Sequence, residues 1–116
     1  MPSSPSERTH LALHDIRANI LLAQSFVGGM TLATFIADRR SVYAVTRCLE
    51  IVSEAARRLP EDMRARHPAQ PWRAIMGAGN VYRHDYDNVA EDFIWRTVQQ
   101  NLPALRAVVE QELATF

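Results

Sequence analysis

Apolar residues recur along this chain in steps of three and four, the period of a helix face, and nowhere alternate in the period of two that marks a half-buried strand. The first such stripe is Leu13, Ile16, Ile20, Ala23 and Val27, ended by Gly28-Gly29. Upstream of it, Ser4-Pro5-Ser6-Glu7 reads as an N-cap, a proline at the first helical position and an acid in the first turn. Thr31 is placed to cap a short helix, Leu32–Ala37. From Arg39 the longest pattern begins: Val42, Val45, Leu49, Val52, Ala56 and Leu59, widened by Cys48, Ile51 and Ala55. That near-heptad seam suits a bundle partner or a second subunit. Pro60 stops it, residues 61–66 form a short polar turn of helix, and the proline rule makes His67-Pro68 extended.

Pro71 suits the first position of the next helix, which runs to about His84 with Trp72, Ile75 and Met76 on its apolar side. Asp87 or Asn88 then caps a further helix, with Glu91 three residues past Asn88 in capping-box position. Phe93, Ile94, Val98 and Leu102 supply the apolar side of that helix; Pro103 breaks or restarts it, and Leu105, Val108, Val109 and Leu113 close the bundle. The pattern predicts an all-α, up-and-down bundle of about five helices whose short loops make neighbours antiparallel.

A chain of 116 residues, 47 % hydrophobic, suits one domain with one core. Its 13 basic and 13 acidic residues balance, which argues against a general nucleic-acid coat but leaves room for a local basic patch. Cys48 is the only cysteine, so an intrachain disulfide and a thiolate metal cluster are both excluded, and a reducing cytoplasm fits. No apolar run is long enough for a membrane span, and the first ten residues lack the apolar centre of a signal peptide.

Candidate chemistry collects at the end of the central helix, in Asn80, Tyr82, Arg83, His84, Asp85, Tyr86 and Asp87. Asn80 and His84 are four apart and share a helix face, so the amide can orient the imidazole; Gly79 and Arg83 share the adjacent stripe. Gly77 and Gly79 either let the chain bend at Asn80 or allow close approach of a helix or of RNA. Tyr82 reads as a packing residue or as part of a cleft wall. Glu54, set in an apolar stripe, reads as a buried acid partnered by Arg47 or Arg73, or as lining a cleft with them. His10, His14, His67 and His84 are too scattered for an obvious zinc site, so no metal or cofactor is expected.

Several of these pieces together are identified as a pattern. Leu13-His14-Asp15-Ile16, Phe35-Ile36-Ala37-Asp38, residues 43–55 with Ser53-Glu54-Ala55, His67-Pro68, Pro71-Trp72-Arg73, Asn80…His84-Asp85-Tyr86 and Leu102-Pro103 resemble the HepT-like group of the HEPN superfamily over roughly residues 11–110. The resemblance implies a dimeric helical toxin subunit paired with a minimal nucleotidyltransferase antitoxin, acting as a metal-independent endoribonuclease. It also implies a first helix starting near Thr9, with residues 1–9 a flexible tail. His84 matches the family's catalytic histidine, Asn80 its polar residue, and Tyr86 the tyrosine to which some antitoxins transfer AMP. The family's arginine would fall at Gly77, Ala78 or Gly79, and Arg83 is the nearest substitute. An alternative without catalysis is a helical partner that binds the nucleotidyltransferase or its nucleotide.

Overall fold

The computed structural model describes residues 4–84 and 90–116, and among them every regular element is helical. The first helix, α1, spans Pro5–Val27: Ser4 Oγ accepts from the Glu7 N–H at 3.1 Å, so the cap signal wins over the later start near Thr9. All five residues of its stripe are buried. Gly29, at φ 79°, supplies the left-handed turn that releases the chain from α1. The next helix, α2 (Leu32–Ala37), is six residues long, too short to stand alone. It is held by a reciprocal capping box between Thr31 and Thr34 and by fully buried Phe35, whose ring lies 5.5 Å from that of Trp95.

Helix α3 (Arg39–Arg57) buries every seam position, from Val42 through Leu59 just beyond its end. The seam is filled within one chain, by α1 on one side and α5 (Trp72–His84) on the other, so it does not call for a second subunit. Each fully buried Ile or Val of this core contributes about 1.5–3 kcal/mol. A short helix, α4 (Glu61–Ala65), plugs the base of the bundle with Met63.

Helices α6 (Glu91–Arg96) and α7 (Leu102–Leu113) are joined by one π-helical stretch, Thr97–Asn101, with right-handed helical dihedrals at both joints. The α-helix ends at Arg96 and restarts at Leu102 with Pro103 in its first turn, and the π-helical stretch keeps the rod continuous between them. The proline ring and missing N–H are incompatible with the preceding α-turn, and a locally widened turn relieves that conflict. Ala90 stands at the N-cap of α6 without a side-chain cap bond, and Glu91 instead pairs with Arg39 at 3.0 Å. Asp87 and Asn88 lie outside the described residues.

Cross-links between helices fix the directions. Arg58, just past α3, meets Asp15 midway along α1; Arg17 meets Glu110, and Arg106 meets Gln24. The last two pairs set α1 antiparallel to α7, and buried apolar residues of all the helices form one cluster. The strongest polar tie is buried Glu112 on α7, which accepts from Arg66 at 2.8 Å and lies 2.5 Å from His67 Nε2. The Arg66 hydrogen bonds, and then that of His67, hold the Glu112 carboxyl below the usual carboxylate range. The carbonyl of His67 accepts from Trp72 Nε1 at 3.0 Å, so the same strap sets the start of α5.

Candidate active site at the end of α5

Helix α5 is seated on α3 by a glycine. The Gly79 N–H donates to Ser53 Oγ at 2.8 Å, and Ser53 Oγ donates to the Met76 carbonyl at 3.1 Å. A Cβ on Gly79 would lie 2.8 Å from Ser53 Oγ and 3.1 Å from Ser53 Cβ, so this glycine is there for close helix approach. Gly77, two residues earlier, faces open space. An arginine at position 79 would have to displace the Ser53 side chain before it could reach the solvent side, so restoring the family pattern there disturbs the α5–α3 contact.

On the outer side of this contact lies an open hollow of about 230 Å³, lined by Arg47, Glu50, Ile51, Glu54 and Gly79. Glu54 is exposed, not buried among apolar neighbours, because it falls on the edge of α3 between the surfaces that α1 and α5 cover. Arg47 pairs with Glu50 at 3.1 Å rather than with Glu54, and Arg73 is exposed on α5. One guanidinium and two carboxylates make this wall net acidic, so a phosphate bound beside it needs cations from elsewhere. Farther up α3, Tyr43 is exposed and carries the Arg39 guanidinium 5.3 Å above its ring.

Asn80 is exposed on α5, and position 84 lies one turn beyond it on the same helix. The side chains of Arg83 and His84, and all of Tyr86, lie outside the described residues. Tyr82 faces inward. It is buried, hydrogen-bonded to Thr97, and its phenol is pushed up by burial. It forms part of the inner wall of an apolar cavity of about 260 Å³ between α5 and the α6–α7 rod. Phe93, expected on the core side of α6, is half exposed at the mouth of that cavity. Cys48 is buried and its thiol is raised, mainly by desolvation, so it packs the core rather than serving as a nucleophile. Among the described residues no group of three or more His, Cys, Asp or Glu could hold a metal, and no helix is long and apolar enough to cross a membrane.

The model of the family described as Ribonuclease HepT-like matches residues 16–112, from the first stripe of α1 to the buried glutamate of α7. The chain belongs to the HepT-like ribonuclease family. HepT-like relatives align over most of their length. "Probable ribonuclease HepT" of Thermococcus cleftensis is 32 % identical over 99 residues, covering 85 % of this chain and 90 % of that protein. "Putative RNase MJ1380" of Methanocaldococcus jannaschii is 31 % identical over 98 residues, with 84 % and 90 % covered. "Putative RNase TTE0752" of Caldanaerobacter subterraneus is 33 % identical over 87 residues, with 75 % and 78 % covered. No solved structure matches the chain. For this HepT-like chain, family membership supports RNA cleavage, and the part of α5 that carries exposed Asn80 and position 84 is the candidate site.

Proposed function

We propose that the protein is the toxin of a toxin–antitoxin pair, a metal-independent endoribonuclease of the cytoplasm that cuts RNA at a groove shared by two copies. Membership of the HepT-like ribonuclease family, over residues 16–112, carries the reading. In this scheme the ribose 2′-OH is the nucleophile. His84 takes its proton, Asn80 on the preceding turn orients the imidazole, and the Arg83 guanidinium forks onto the phosphate oxygens. The net acidic wall of Arg47, Glu50 and Glu54 supports the need for a second copy, whose Arg83 adds positive charge and whose protonated His84 gives its proton to the leaving 5′-oxygen. A cognate nucleotidyltransferase transfers AMP to Tyr86, and the added phosphate repels RNA from the groove.

The test is an RNA oligonucleotide and its all-2′-deoxy counterpart, each incubated with the purified chain in EDTA. The scheme requires that only the RNA is cut, leaving a 2′,3′-cyclic phosphate and a 5′-hydroxyl. Cutting of the deoxy strand, or no cutting of any RNA by protein whose Tyr86 is shown by mass to be unmodified, overturns it. One observation favours the non-catalytic alternative, a helical partner of the nucleotidyltransferase or its nucleotide: position 79 is a glycine packed against Ser53 and carries no cation.

A further inference from the structure

The start of α1 carries two imidazoles that the proposed RNA chemistry does not use. His10 and His14 are four residues apart, and their Nε2 atoms face each other at 3.2 Å. The two rings meet edge to face with centroids 4.5 Å apart. The His10 ring also stacks on Phe116, at 4.8 Å and an interplanar angle of 27°. Phe116 therefore holds one imidazole from the end of α7 while the backbone of α1 positions the other. His67 is already committed to Glu112.

We infer that His10 and His14 form a two-ligand site for a borderline divalent transition ion of the Zn²⁺, Ni²⁺ or Cu²⁺ class. Two metal–nitrogen bonds of about 2.0–2.1 Å set their nitrogens about 3.3 Å apart at a tetrahedral angle and about 2.9 Å apart at a right angle. The observed 3.2 Å lies between those values, so the ion enters without moving either helix turn. In the empty pair one Nε2–H donates to the other Nε2. On binding, the donor ring moves its proton to Nδ1, and both rings then offer an Nε2 lone pair, so two neutral imidazoles release no proton. Imidazole donors select these ions over Mg²⁺ and Ca²⁺, which take oxygen ligands. Water, or the same pair on a second copy, completes the coordination. His10, His14 and Phe116 line neither the hollow nor the apolar cavity beside α5. The site is thus independent of the ribonuclease reading.

Zinc titration of the untagged chain tests the assignment by calorimetry and by ¹⁵N correlation spectra of the imidazoles. The expected result is saturable binding of one ion per chain, or one per two chains where copies share it, with the Nε2 resonances of His10 and His14 shifting together. Losing a second-shell partner costs a metal site about 10–100-fold in affinity, so removing a ligand in His14→Ala should cost at least that. His14 is exposed, so this variant keeps its fold, and its melting temperature should no longer rise with zinc as that of wild type does. Unchanged affinity in His14→Ala, shifts confined to His67 or His84, or no binding at millimolar zinc would each overturn the inference.

Discussion

Two glycines on one helix, two residues apart, should respond to alanine with opposite signs. At Gly77 a Cβ meets nothing within 4 Å, so Gly77→Ala gains only the difference in helix propensity, about 0.5–1 kcal/mol of added stability. Gly79→Ala gains the same term but places its Cβ 2.8 Å from Ser53 Oγ and 3.1 Å from Ser53 Cβ. The clashing atoms belong to a short side chain on a packed helix, with no flexible end to swing away. Overpacking of that kind costs about 1–3 kcal/mol, leaving Gly79→Ala destabilised by up to about 2.5 kcal/mol. The gap between the two variants is then about 1–3 kcal/mol, or several degrees in melting temperature for a domain of this size. Urea unfolding followed by circular dichroism, with unchanged m-values, measures it directly. A double-mutant cycle with Ser53→Gly checks the cause. Removing the Ser53 side chain opens the space, so the double variant should be more stable than the sum of the singles by about 1 kcal/mol or more. Equal stabilisation by both alanines, or strict additivity in the cycle, would refute the close-packed contact between α5 and α3.

The polar strap on α7 gives a prediction in pH. Glu112 has a depressed carboxyl pKa in the folded protein, so its stabilisation is present above the unfolded carboxylate value near ~4.3 and is lost as pH falls through the folded value. Glu112→Gln should flatten that acid limb and cost about 1–3 kcal/mol at pH 7, toward the lower end because Arg66 is half exposed; an unchanged acid limb contradicts the assignment. Arg83→Lys should weaken RNA cleavage in part and Arg83→Ala should abolish it, with melting temperature nearly constant; full activity of Arg83→Ala removes this arginine from the mechanism. Incubation with the cognate nucleotidyltransferase, ATP and Mg²⁺ should add AMP to the wild type but not to Tyr86→Phe, read as intact mass.

Most of the fold was legible because it rests on local signals that tertiary packing reinforces. The stripes of α1 and α3, the Thr31 cap and the inward role of Tyr82 all follow from period and cap chemistry. What was not legible came from three-dimensional placement. The widened 42–59 seam looks the same in sequence whether a second helix of the chain or a second subunit covers it, and here α1 and α5 do so. Glu54 reads as buried because its sequence neighbours are apolar, yet a helix turns it to an uncovered edge. The π-helical stretch before Pro103 depends on how the rod accommodates a proline ring, which periodicity does not encode. At the candidate site, the spacing of Asn80 and His84 shows in the sequence, whereas the commitment of Gly79 to Ser53 does not. The His10–His14 pair could have been found from its spacing of four on a helix.

The central claim is that the end of α5 cleaves RNA through His84. Its most direct test is the cleavage rate of a labelled RNA in excess EDTA by wild type and by His84→Ala, both free of antitoxin and shown by mass to be unmodified at Tyr86. The account predicts cutting by wild type and a loss of at least about 100-fold in His84→Ala, the range for a positioned acid–base group, with the variant's melting curve unchanged. Cleavage by His84→Ala at the wild-type rate would contradict it.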